Sequence, residues 1–251
     1  MRVIPVKVSV FLFAVHLACA QTPATAFEVA TIKPAATSPD GHTHINYPRN
    51  DRFSATNITL LALMQWAYGM PERQILEGPS WLSSTRFDIQ AKADIGDRIK
   101  SLTSEQISEL KRAMVQGLLA DRFQLKLRQE TRTLPAYDLV IAKGGIKLQP
   151  SQSSSKNISV GRTYLNGQEL DLTSIAQELA KITGRAVVDK TGLAGRYDFK
   201  LLWTADDVQA ADGDPPPLFT AIQEQLGLKL ESAKEPVAVL IIDHVEQPTP
   251  N

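Results

Sequence analysis

The sequence predicts an α+β protein made of two tandem small modules. Each reads strand–helix–strand–helix–strand–strand, with helices packed on a mostly antiparallel sheet. Three observations carry this expectation. Short runs such as "FEVATIKP", "RFDIQAKA" and "GRYDFKLLW" alternate apolar and polar residues with the period of a strand. Between them, apolar residues recur at helical spacing behind capping residues. One local plan is also spelled twice: "ITLLALMQWAYG" leads to "GPSWLSSTRFDIQAKAD", and "LTSIAQELAKITG" leads to "DKTGLAGRYDFKLLWTAD".

The first module spans residues 21–150. "FEVATIKP" sets Phe27, Val29 and Thr31 against Ala30 and Ile32 and stops at Pro34, a strand closed by proline. "AATSPDGHTHINYPRND" has loop composition, and "RFSAT" is a short strand. Asn57 or Thr59 caps a helix whose apolar residues are Leu60, Leu61, Leu63, Met64 and Ala67, and Gly69 and Pro71 end it. "RFDIQAKA" puts Phe87, Ile89 and Ala91 on one strand face. From Thr103 a capped helix carries Ile107, Leu110, Met114, Leu118 and Leu119 as its buried stripe. "LKLRQETRTLPAYDLVIAKGG" reads as two strands joined near Thr133–Pro135.

Residues 151–160 are Ser-rich, the composition of a linker. The second module spans 161–251. It opens with an Asn166–Gly167 turn, then a helix capped by Thr173, with Ile175, Ala176, Leu179 and Ile182 on one face and Gly184 at its end. "AVVD" and "GRYDFKLLW" follow as strands, then the loop "TADDVQAADGDPPP", the short helix "LFTAIQEQLG", and the closing strands "LKLE" and "VAVLIIDHV". Positions correspond between the halves: Thr59 with Thr173, Leu61 with Ile175, Arg86-Phe87-Asp88 with Arg196-Tyr197-Asp198, Pro135 with Pro236, and Leu139–Ile141 with Leu240–Ile242. This is the pattern of a duplicated module.

Residues 1–20 differ from the rest. Arg2 and Lys7 precede the apolar run "VSVFLFAVHLA", and "ACA" places small residues before Gln21, which reads as a secretory signal peptide cleaved after Ala20. Retention as an anchor, or lipidation of Cys19, are the alternatives. Cleavage would remove the one cysteine of the 251-residue chain, and with it disulfide chemistry and thiolate metal ligation. The chain has 27 basic and 27 acidic residues, so it offers nucleic acid no basic excess. No apolar run after the leader is long enough to span a bilayer. The expected location is secreted or periplasmic.

Few residues suggest chemistry. Ser108-x-x-Lys111, Ser155-x-Asn157 and Lys190-Thr191-Gly192 spell the motifs of penicillin-binding proteins and β-lactamases. However, the last lies in a turn, the second in the linker, and Ser108 and Lys111 read as polar-face helix residues. His42-x-His44 with Asp40 offers too few ligands for a metal site without a second convergent pair. No metal or cofactor is therefore expected. The remaining candidates are binding residues. Arg86, Asp88, Arg196 and Asp198 form either a polar recognition surface or cross-strand ion pairs. Trp66, Tyr68 and Trp81, around "WAYG" and "GPSW", either line a groove or pack in the core.

Two resemblances follow from these residues. Leu172, Ile175, Leu179, Gly184, Val187, Val188, Leu193, Gly195, Tyr197, Phe199, Leu226, Gly227, Leu228 and Leu230 match the pattern of the short N-terminal domain of secretins and TonB-dependent receptors. That resemblance implies a partner-binding, non-catalytic module. The runs "FEVATIKP", "RFSATNITLLALMQWAYG", "GPSWL", "LLADRFQLKLRQETRTLPAYDLVIAKGG", "VVDKTGLAGRYDF" and "VLIIDHVEQPTPN" resemble an acidobacterial secreted domain of unknown function. It occurs alone behind a signal peptide or attached to sensor metallopeptidases resembling BlaR and MecR.

The expected function is non-catalytic recognition in the cell envelope, of a protein or peptide added to an exposed strand edge, with the groove between the halves as the site. A cell-wall serine hydrolase or β-lactam-binding protein acting through Ser108 and Lys111 is one alternative. A small-molecule binder using Trp66, Tyr68 and Trp81 is another.

Overall fold

The computed structural model describes residues 26–35, 43–48, 50–208, 211 and 213–248. The leader, Cys19, Asp40 and His42 lie outside them. Its class is α+β, with three four-stranded, mostly antiparallel sheets.

The first lobe begins with β1 (Phe27–Pro34), β2 (His44–Asn46) and β3 (Arg52–Thr59), continues through α1 (Leu60–Tyr68), β4 (Ile75–Leu76) and α2 (Trp81–Ser84), and reaches β5 (Arg86–Ala93) and α3 (Ser104–Arg122). Its sheet has the order β1-β5-β3-β2. The segment read as loop thus contains an edge strand, because Ile45 pairs with Ala55 and packs on the core. Thr59 caps α1 by accepting from the Ala62 N–H at 3.2 Å, and Gly69 ends it in the left-handed region at φ 64°. α3 opens with a capping box between Thr103 and Gln106. Phe53, Ile58, Leu63, Met64, Phe87, Ile89, Leu119 and Phe123 form the core between sheet and helices.

The chain then runs into β6 (Lys126–Ile141), followed by β7 (Gln149–Pro150), β8 (Asn157–Val160), β9 (Tyr164–Leu170), α4 (Leu172–Thr183), β10 (Ala186–Asp189), β11 (Tyr197–Leu202), α5 (Leu218–Ala221) and β12 (Leu228–His244). A π-helical turn, Ile222–Leu226, joins α5 to β12. The second lobe has the sheet β7-β11-β9-β8 with α4 and α5 packed around Leu165, Leu170, Ile175, Leu179, Leu201 and Trp203.

Four local expectations need correction. Asp171, not Thr173, caps α4, its carboxylate accepting from the Ser174 N–H at 2.7 Å. That bond holds the Asp171 carboxyl below the usual range. Asn166–Gly167 is mid-strand in β9, and the hairpin turn comes earlier, where the Gly161 N–H donates to Tyr164 O at 2.9 Å. The Phe199 ring and the Leu170 side chain close over Gly167, so a Cβ there would have to displace them. The Ser-rich stretch 151–160 contains the edge strand β8.

The fourth correction is the largest. β6 and β12 are each continuous through Pro135 and Pro236, and they pair antiparallel from one end to the other. A proline cannot donate to a ladder, so it interrupts a central strand. Here both prolines fall where the two strands have no third neighbour, since β10 pairs with β6 from Ala136 on and β4 pairs with β12 only at Leu240–Ile241. β6 starts in the first lobe, where Leu127 packs on the core, and ends in the second, where Leu139 is buried. β12 runs the other way, from Leu228 and Leu230 in the second lobe to Ile242 in the first. The closing strands are therefore exchanged between the lobes.

Candidate functional site

A groove of about 830 Å³ lies between the lobes. Three elements wall it. From α3 come Glu105, Ser108, Glu109 and Arg112, spaced i, i+3, i+4 and i+7, so they share one helix face. The buried residues of α3 include Ile107, Met114, Val115 and Leu118, and Ile107 also borders the groove at its floor. From α4 come Ser174, Gln177, Glu178 and Lys181 at the same spacing, opposite the buried Ile175 and Leu179. The third wall is β8, all four of whose residues line the groove. Two amphipathic helices and a sheet edge thus present polar stripes to one space.

Tyr47 and Trp66 add an aromatic patch, their ring centroids 5.3 Å apart. Trp66 rests on the buried Phe53 at 5.4 Å, which fixes its plane from behind. The Arg112 guanidinium lies 6.0 Å from the Trp66 centroid, within reach of a cation–π attraction. Arg112 Nε is buried with no hydrogen-bond partner, and Arg112 makes no ion pair among the described residues. Two other groove cations are paired: Lys156 reaches across the lobes to Glu105 at 2.9 Å, and Lys181 bonds Glu178 at 2.6 Å. The groove therefore holds one guanidinium that makes no direct ion pair among the described residues, beside an aromatic surface.

Of the residues singled out from the sequence, Trp66 lines this groove. Tyr68 and Trp81 do not; both pack against the first core, and burial pushes the Tyr68 phenol up. Arg86, Asp88, Arg196 and Asp198 hold the backbone. Asp88 accepts from the Asn57 N–H at 2.8 Å while Arg86 donates to Asn57 O at 2.7 Å. In the second lobe Asp198 accepts from the Glu169 N–H at 2.8 Å, and Arg196 donates to Glu169 O at 3.3 Å. Asn57 and Glu169 have positive φ, 52° and 58°, at register shifts in β3 and β9. Each Arg–Asp pair grips one bulge two residues before a helix cap. Hydrogen bonds from the Ser151 hydroxyl and the Glu169 N–H keep the Asp198 carboxyl below its usual range.

The serine-enzyme spelling is dispersed. Ser108 and Asn157 line the groove, but the Ser108 hydroxyl donates to Ser104 O at 3.0 Å. Lys111 is not on the polar face, as its sequence position suggests; it is fully buried and donates to Arg52 O at 2.6 Å. The partner of Lys190 is Glu235, and the Thr191 hydroxyl donates to Asp189 at 2.7 Å. His44 lies on β2, and no group of three His, Cys, Asp or Glu suited to a metal occurs among the described residues.

Sequence reasoning missed Arg112 and both polar stripes. Their signal, polar residues at helical period, is the same as that of a solvated helix face, and only the packing of the lobes distinguishes the two.

The fold and groove define a two-lobed α+β protein with an interlobe cleft. The chain matches the family described as a protein of unknown function, DUF3738, over residues 61–245, and belongs to that family. The match takes in α3, β8 and α4. No curated protein and no solved structure matches the chain. Among the described residues, no helix is long and apolar enough to cross a membrane.

Proposed function

We propose that this protein is a secreted or periplasmic recognition domain that binds a cell-envelope ligand in the interlobe groove without turning it over. The observation that carries this reading is the unpaired Arg112 beside the Tyr47–Trp66 patch, in a groove of the size that ordinary ligands fill. The Arg112 guanidinium lines the groove without an ion-pair partner among the described residues, and a ligand carboxylate would supply one. The apolar leader ending in "ACA" supports export.

The test is a fluorescence titration of the purified protein against fractionated envelope material: proteins, peptides, cell-wall fragments and small metabolites. The expected result is a saturable change in tryptophan emission with one fraction, lost in Trp66→Phe and weakened roughly tenfold in Arg112→Gln. Binding that survives both substitutions would place the ligand elsewhere. Chemical conversion of the bound material by wild-type protein would make it an enzyme.

A further inference from the structure

The edge of β8 names a partner class for this groove, and the inference rests on the groove being the binding site. The Gly161 N–H donates to Tyr164 O at 2.9 Å, which makes Gly161–Tyr164 a hydrogen-bonded pair at the mouth of the β8–β9 hairpin. Bonded and non-bonded pairs alternate along an antiparallel ladder. Ser159–Asn166 and Asn157–Gln168 are therefore bonded pairs, while Val160–Leu165 and Ile158–Gly167 are not. Ile158 and Val160 turn their N–H and C=O groups away from β9. On that side β8 has no neighbouring strand, because it is the last in the order β7-β11-β9-β8. All four β8 residues line the groove, so this open edge borders the space that Arg112 and Trp66 face.

We propose that the groove takes an extended segment of a partner protein, added to β8 as a fifth strand. Two donors and two acceptors, repeating every second residue, match the repeat of an extended chain at roughly 7 Å. The opposite wall sets the sequence that fits. Arg112 requires one carboxylate, and the Tyr47–Trp66 patch takes an apolar or aromatic side chain near it. Glu109, one turn from Arg112 on the same helix face, repels a second acid, so the segment carries a single acidic residue rather than an acidic run. Lys156, immediately before β8, is held by Glu105 and leaves Arg112 as the anion site.

The probe is an array of random ten-residue L-peptides screened against the purified protein, with hits measured in solution by fluorescence polarisation. Hits should carry one Asp or Glu beside an apolar residue. N-methylation of alternate peptide amides should weaken them about tenfold or more, and methylation of the intervening amides should not. Bound peptide should slow amide exchange at Ile158 and Val160. Val160→Pro deletes an N–H that β9 does not use. It should abolish peptide binding while keeping the unfolding temperature, whereas Ser159→Pro removes a ladder bond and should lower it.

Peptides indifferent to N-methylation at every position, or unchanged exchange at Ile158 and Val160, overturn strand addition even if peptides bind. No peptide hit at all also overturns it. In that case a non-peptide fraction that shifts Trp66 emission leaves the groove reading standing, and no such fraction removes both. Dimerisation abolished by Val160→Pro would overturn it in favour of a second copy paired at β8.

Discussion

Lys111 is fully buried on α3, with its amine 2.6 Å from Arg52 O. Burial lowers its pKa, and the nearby Asp51 opposes the shift. The folded pKa lies below the unfolded value, so between the two the unfolded chain binds the extra proton. Stability from this group therefore rises with pH through that window, up to the ordinary lysine value of about 10.4. Lys111→Met removes the desolvated charge and the hydrogen bond together. It should change stability at pH 7 by no more than about 1 kcal/mol, because the two effects oppose. Lys111→Ala should cost roughly 2–4 kcal/mol, because it leaves a cavity and an orphaned carbonyl. Urea unfolding at pH 7 and pH 10 checks both. Wild type should gain on Lys111→Met as pH rises, and an unchanged difference would mean the amine is solvated.

Among the elements, the Arg–aromatic–Asp strands β5 and β11 do the same job twice. Each grips the positive-φ residue of the neighbouring strand, Asn57 or Glu169, just before the chain enters a helix. The bulge aims the strand end at the helix, and the Arg–Asp pair satisfies the N–H and C=O that the register shift frees. Asp88→Ala should cost about 1–3 kcal/mol, because the Asn57 N–H loses its charged acceptor. Urea unfolding measures it, and an effect within 0.5 kcal/mol, the ordinary range for a surface site, would show that water serves as well.

The correspondence between the two halves was legible in the sequence, from Arg86-Phe87-Asp88 and Arg196-Tyr197-Asp198 and from the helices that precede them. The caps correct its register: the equivalent of Thr59 is Asp171, and that of Asn57 is Glu169. A bulge leaves no compositional mark, so the role of the charges was not legible. Asn166–Gly167 misled because a strand glycine under an aromatic ring spells the same dipeptide as a tight turn. Lys111 misled because a lysine on a helix normally reaches water. Trp66 could be read as a groove residue, but Arg112 and β8 could not, since nothing local separates a cleft wall from open solvent.

At the scale of the whole molecule, the exchange of β6 and β12 decides how the two lobes cohere. Periodicity could not show it, because Pro135 and Pro236 are ordinary strand breakers until the absence of a third strand makes them tolerable. Each lobe borrows the last residues of the other half's closing strand: Ile242 completes the first core and Leu139 the second. Ala136, Val237, Val239 and Ile241 form a further core along the shared ribbon. A cut in the Ser-rich stretch therefore strands each half without part of its interior. Fragments 1–150 and 151–251, made separately, should show no cooperative unfolding, and mixing them should restore the β-rich circular dichroism and a concentration-dependent transition. The intact chain should unfold in one calorimetric transition, because neither core closes without the ribbon. A first fragment that melts cooperatively alone would show that β12 is dispensable to it. The groove would then be a hinge between independent domains rather than a cleft fixed by two exchanged strands.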